Sequence, residues 1–189
     1  MTTQLPARPV PHWNLANAFT LLRVALVPLF IWLLVIRDPS LPVVAGVVFA
    51  FAAATDGLDG FVARRLHLVS GFGETLDPIA DKLLVGTALV ALAIDERVPW
   101  WALVVILGRD VVVTGLRIGL ARRDRVLPAS RLGKIKTNFQ ILAVLLLTLL
   151  QPRSGVALGV LWVAVALTVI SGAQYLAAAV RGRAGVPWK

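Results

Sequence analysis

Apolar residues in this chain fall into six runs, each about 20 residues long, which is the length that carries a helix across the roughly 30 Å hydrocarbon core of a bilayer. The runs cover residues 17–36, 41–65, 76–94, 99–121, 133–151 and 155–179. Between them lie "RDPSLP", "HLVSGFG", "DERVP", "RRDRVLPAS" and "QPRSG", rich in the charge, proline and glycine that end helices. The pattern predicts an all-α integral membrane protein, a bundle of six transmembrane helices with short loops. Residues 1–16 then form an N-terminal cytoplasmic or interfacial segment, 17–180 the six-helix domain, and 181–189 a basic tail.

Composition supports that reading. Of 189 residues, 58% are hydrophobic and 15% charged, against about 45–50% apolar in an ordinary soluble domain. No internal repeat points to a transporter built from two halves. Cysteine is absent, so neither disulfides nor thiolate metal sites are available, and any metal must be held by oxygen or histidine. His12 and His67 are far apart and read as solvated or interfacial imidazoles. The start, "MTTQLPARPVPHWN", lacks the parts of a signal peptide and is expected to stay on the mature protein.

Charge sets the expected orientation, because Lys and Arg are retained on the cytoplasmic side. With both termini cytoplasmic, that side receives Arg8, Arg64, Arg65, Arg122, Arg123, Arg125, Arg131, Lys134, Lys136, Arg181, Arg183 and Lys189. The other side receives only Arg37, Arg97 and Arg153. Trp100 and Trp101 then belong to an aromatic belt at the outer interface. The net charge of +9 follows from this topology and from attraction to anionic lipid, so nucleic acid is not an expected partner.

One stretch does not fit a purely apolar helix. "TDGLDGFVARRLHLVSGFGETLDPIADK" places Asp56, Asp59, Asp77 and Asp81 between greasy segments. Asp56 and Asp59 are three apart and Asp77 and Asp81 four apart, so each pair projects from one face of its helix. Consecutive antiparallel helices bring all four carboxylates towards the cytoplasmic ends of the second and third helices, with Pro78 suited to the first turn of the third. Charges at that depth are costly unless paired or wetted. Arg64, Arg65 and Lys82 offer a structural ion-pair network. Divalent cations offer the alternative, since clustered carboxylates suit Mg²⁺ or Mn²⁺ together with substrate phosphates, and two such ions clamp the oxygens around a phosphorus. Gly57, Gly60 and Ala63 leave one side of the second helix bare, for a ligand or for a neighbouring helix.

The run Asp56-x2-Asp59-Gly60-x2-Ala63-Arg64-x8-Gly73-x3-Asp77-x3-Asp81 resembles the full signature of the CDP-alcohol phosphatidyltransferase family. The resemblance implies a six-helix, usually homodimeric membrane enzyme that transfers a phosphatidyl group from a CDP-linked donor to an alcohol and releases CMP. It further implies that Asp56, Asp59, Asp77 and Asp81 hold two divalent ions, Mg²⁺ or Mn²⁺. Gly60, Ala63, Arg64 and Gly73 would lie beside the cytidine nucleotide, Asp56 and Thr75 would join the donor site, and Asp81 would be the general base. An ordinary Asp pKa of about 3.9 makes a weak base, so the negative charge of the site or the acceptor's metal contact would have to help.

The acceptor is read from cations further along. Arg109 and Arg117 lie about two turns apart in the fourth helix, and Lys134 and Lys136 open the fifth. Arginine forks and lysine charges suit phosphate, although Arg109 has a plainer use as the partner of Asp110. Together, "NLANAFTLLRVALVPLF", "LDPIADKLLV", "GRDVVVTGLR" and "GKIKTNFQ" are similar to the bacterial branch of the family that makes phosphatidylglycerophosphate. That likeness implies CDP-diacylglycerol as donor and sn-glycerol 3-phosphate as acceptor. Arg109, Arg117, Lys134 and Lys136 would contact its phosphate, with Thr20 and Arg23 as further cavity residues. "GRD" stands where that branch more usually has "ARE". The implied location is the bacterial inner membrane, multi-pass, with the active site facing the cytoplasm. Branches using phosphatidylglycerol or inositol phosphate are the nearest alternatives. A polyprenyl transferase does not explain Gly60-x2-Ala63-Arg64, and a cation transporter leaves the one-sided basic cavity unexplained.

Overall fold

The computed structural model describes the backbone of residues 15–36, 38, 40–66, 71–121, 131–150 and 154–180, with the side chains within 21–36, 38, 40–55, 82–120, 132–150 and 154–179. Regular structure among these residues is entirely helical: α1 (Leu15–Val35), α2 (Leu41–Leu66), α3 (Gly71–Ile94), α4 (Trp100–Ala121), α5 (Arg131–Leu149) and α6 (Gly155–Val180). Each apolar run yields one helix, with ends within two residues of expectation except at the start of α3. That helix begins at Gly71, so Pro78 lies well inside it and not in its first turn. The first turn suits proline because the missing N–H costs nothing there. Here the helix instead tolerates one lost hydrogen bond, as α1 does at Pro28.

By length and composition, α5 over Leu132–Leu149 and α6 over Gly155–Ala179 can cross a membrane. The apolar parts Leu21–Val35, Leu41–Thr55 and Lys82–Ile94 are shorter, and α4 is interrupted by Arg109, Asp110 and Arg117.

The chain divides into two compact units, Met1–Thr87 and Ala88–Lys189. In the first, α1 packs on α2. Phe30 meets Phe49 with ring centroids 5.3 Å apart and planes tilted by 43°, a geometry aromatic quadrupoles favour. Ala45, Phe49 and Ala52 recur at helical spacing along the buried side of α2, and the alanines let the backbones approach. The outward sides are no less apolar: Val35 is 70% exposed, Val47 62% and Trp32 58%. Such a surface suits lipid and not water.

In the second unit α6 packs on both α4 and α5. Its buried stripe runs through Ala157, Leu161, Ala164, Val165, Thr168, Ser171 and Tyr175, the periodicity of a helix with two neighbours. Polar members of that stripe are satisfied locally. Thr168 Oγ1 donates to the Ala164 carbonyl at 2.7 Å and accepts from Gln140 Nε2 at 3.3 Å, while Thr148 Oγ1 donates to the Val144 carbonyl at 2.8 Å. Trp101 stacks on Trp162 with centroids 4.7 Å apart.

The turn after α3 is tight. Glu96 adopts φ 58°, and Arg97 N and Val98 N both donate to the Leu92 carbonyl, at 2.9 and 3.2 Å. The Arg97 side chain donates to the Leu147 carbonyl at 3.0 Å and to Asp95 at 2.6 Å. A cation placed on the last carbonyls of α5 complements that helix's dipole.

Candidate functional site

The acidic residues lie on helices in the register their spacing requires. Asp56 and Asp59 belong to α2, and Asp77 and Asp81 to α3, with residues 67–70 between the two helices. Separations of three and four on a helix put each pair on one side of its backbone. Gly60, Ala63 and Arg64 continue α2, and Gly73 and Thr75 open α3. The side chains of all nine lie outside the described ones, as does that of Thr20 in α1. Among the described side chains no group of three or more carboxylates and imidazoles is found. On donor chemistry the set fits a divalent ion: four hard carboxylate ligands and no thiolate in the chain.

At the edge of that segment, Thr55 is buried and donates to the Ala52 carbonyl at 2.6 Å, leaving the helix backbone intact up to Asp56. Arg23 is wholly buried in α1, where a charge requires polar company.

The basic residues of α4 and α5 cluster with partners on α6. Arg109 Nη1 donates to Asp110 Oδ1 at 3.0 Å, and its Nη2 to Ser171 Oγ at 3.2 Å. Lys136 Nζ reaches both oxygens of Asp110, at 2.8 and 3.0 Å. Arg117 Nη2 donates to the Tyr175 hydroxyl at 2.6 Å. The guanidinium carbons of Arg109 and Arg117 stand 5.4 and 5.1 Å from the centre of the same Tyr175 ring. Lys134 is exposed while Lys136 is buried, since two positions along a helix turn about 200°.

Among the described residues, Arg109 and Lys136 share the Asp110 carboxylate in largely buried surroundings, while Arg117 is exposed. The side chains of Arg109, Asp110 and Lys136 are 14%, 18% and 5% exposed. Arg109 Nε is also buried without an acceptor, a deficit that ordinarily costs about 1–3 kcal/mol. The arrangement suits a small, strongly charged anion such as a phosphomonoester.

Sequence reasoning assigned no chemistry to α6, yet Ser171 and Tyr175 touch both arginines. The signal was present in "VISGAQYL", where a serine and a tyrosine four apart fall on one side of a largely apolar helix. Asp110, read as the plain partner of Arg109, also binds Lys136.

Comparison with known proteins gives consistent relatives. Residues 13–170 match the CDP-alcohol phosphatidyltransferase family. The chain is similar to a CDP-diacylglycerol–glycerol-3-phosphate 3-phosphatidyltransferase of Bacillus subtilis, at 43% identity over 86% of this chain and 93% of the relative. Proteins of the same name from Pseudomonas fluorescens, 43% identical over 88% of this chain and 90% of theirs, and Rickettsia typhi, 38% over 87% and 96%, are similar as well.

Proposed function

This chain belongs to the CDP-alcohol phosphatidyltransferase family, and from that premise we propose that it transfers the phosphatidyl group of CDP-diacylglycerol to sn-glycerol 3-phosphate, giving phosphatidylglycerophosphate and CMP. The observation that carries the acceptor is the clustering of Arg109 and Lys136 on Asp110 and of Arg109 and Arg117 on Tyr175, in a chain whose similar relatives carry that activity as their name.

In the proposed reaction a hydroxyl oxygen of glycerol 3-phosphate attacks the phosphorus that bears diacylglycerol. The new P–O bond forms as the bond to the CMP oxygen breaks. CMP leaves with the electron pair, and Asp81 takes the hydroxyl proton. Asp56, Asp59, Asp77 and Asp81 would hold the divalent ions, Mg²⁺ or Mn²⁺. Bound there, such ions would neutralise the pyrophosphate and stabilise departing CMP. Arg64, beside the donor, adds a cation for the nucleotide phosphates, while Gly60, Ala63, Gly73 and Thr75 leave room for its approach. Arg109, Arg117 and Lys136 bind the acceptor's phosphate, with Lys134 at the margin, and so fix its orientation. Orientation of this kind removes entropy from the barrier before chemistry begins.

The proposal extends to the membrane: six spans, both termini and the site on the cytoplasmic side of the bacterial inner membrane, and a homodimer. It is supported by the one-sided distribution of Lys and Arg, by the apolar outer faces of the helices, and, for the dimer, by family likeness alone. The test supplies purified protein with CDP-diacylglycerol and each acceptor in turn. Product of the mass of phosphatidylglycerophosphate is expected. Preference for phosphatidylglycerol or inositol phosphate would move the specificity elsewhere in the family.

A further inference from the structure

We infer that α6 holds the acceptor clamp together: Tyr175, Ser171 and Gly172 position Arg109 and Arg117 as one phosphate-binding pair. This rests on the reading that those arginines bind a phosphorylated acceptor. The two guanidinium groups repel each other, and eight residues separate them on α4. Yet both are drawn to one ring, at 5.4 and 5.1 Å, whose negative face offsets part of the repulsion. The ring is itself buried and packed. Tyr175 is 6% exposed and packs with Val113, Leu120 and Ala178.

Each arginine then receives a second constraint from the same helix. Arg117 donates to the Tyr175 hydroxyl at 2.6 Å, and Arg109 to Ser171 Oγ at 3.2 Å. Ser171 is fixed in turn by donating to the Thr168 carbonyl at 3.1 Å. Between these two contacts, Gly172 leaves space that Arg109 occupies: an added Cβ would stand 3.0 Å from Arg109 Cγ. At Gly155 and Gly159 of the same helix a Cβ would meet nothing within 4 Å. The bareness of α6 at position 172 thus matches the path of the arginine. Three α6 residues within one turn act on two cations of α4, which is what positioning a planar, bidentate anion site requires.

The experiment measures CMP release by the full chain in lipid nanodiscs, titrating donor and acceptor separately for wild type, Tyr175→Phe, Ser171→Ala, Gly172→Ala and the control Gly159→Ala. Tyr175→Phe keeps the ring and the packing while removing one hydrogen bond to a charged group, which is worth about tenfold in affinity. Tyr175→Phe and Gly172→Ala are expected to raise the acceptor KM about tenfold and Ser171→Ala about threefold. The KM for CDP-diacylglycerol and the behaviour of Gly159→Ala should stay within about twofold of wild type. An unchanged acceptor KM in both Tyr175→Phe and Gly172→Ala would overturn the inference, as would an equal rise in the donor and acceptor KM. If the wild type prefers another phosphorylated alcohol, the same acceptor-specific rise for that alcohol still supports α6 as the positioner while the assigned acceptor fails. Turnover only with an unphosphorylated alcohol, with KM unmoved by the variants, would sink both.

Discussion

The acidic set of the first unit and the basic cluster of the second are built in opposite ways. The four aspartates come from one contiguous stretch spread over α2 and α3, with each pair separated by a single helical turn. The cations come from two helices of the second unit, and their partners on α6 lie far off in sequence: Ser171 is 62 residues from Arg109, and Tyr175 is 58 from Arg117. A local motif survives as a spacing rule because one turn of helix enforces it. A cluster assembled by packing leaves no such rule, and only the fold reveals the α6 partners of its arginines.

The sharpest way to break this contrast is at the aspartates. Asp81→Asn is expected to lower turnover by more than about a thousandfold while retaining much CDP-diacylglycerol binding. Asp56→Asn and Asp77→Asn should also lose the metal-dependent part of donor binding. Equal losses of donor affinity in all three, measured by equilibrium binding with and without Mg²⁺, would remove Asp81 as a dedicated base.

The basic cluster should respond differently. Arg109→Gln and Arg117→Gln are each expected to raise the KM for glycerol 3-phosphate by about 30- to 100-fold, from the loss of a charge-assisted contact. The donor KM should hardly move. Kinetics in which the donor KM rises as much would place these arginines in folding and not in acceptor binding.

Asp110 separates binding from stability. Asp110→Asn leaves Arg109 and Lys136 without their shared carboxylate and should destabilise the protein by about 1–3 kcal/mol. Added glycerol 3-phosphate should restore more melting temperature in this variant than in wild type, because a ligand anion replaces the missing charge. An identical ligand-induced shift in both proteins would argue that the phosphate binds elsewhere.

The smallest effect lies in the connection between α1 and α2. The Ser40 hydroxyl and backbone N–H both donate to Asp38 Oδ1, at 2.6 and 2.9 Å, and together hold that carboxyl below its ordinary pKa. A depressed folded pKa contributes stability that is present above the unfolded value of about 3.9 and is lost as pH falls through the folded one. Ser40→Ala should return the Asp38 titration midpoint towards the ordinary value, as read by carboxyl NMR, with no change in activity at neutral pH.

Much of the fold was legible because helix length and apolar content are read directly from sequence. The breaks at "RDPSLP" and "DERVP" set the ends of α1 to α4 closely. The exception was α3, where a rule about proline in first turns placed the start too late; the helix runs on through Pro78. Arg109, Arg117, Lys134 and Lys136 were grouped through family likeness, but the partners that α6 gives the arginines were not visible. Lys134 and Lys136 look equivalent in a string, and only helical rotation exposes one and buries the other. Ser171 and Tyr175 were passed over because a serine and a tyrosine in a membrane helix are usually satisfied locally, as Thr168 and Thr148 are here.

The central claim is that the reaction requires both a divalent metal and a phosphorylated acceptor. CMP release from CDP-diacylglycerol, measured with Mg²⁺ or Mn²⁺ present or chelated and with glycerol 3-phosphate present or omitted, tests it most directly. Release only when both metal and glycerol 3-phosphate are supplied is the predicted result. Release that persists after chelation, or that ignores glycerol 3-phosphate, would contradict it.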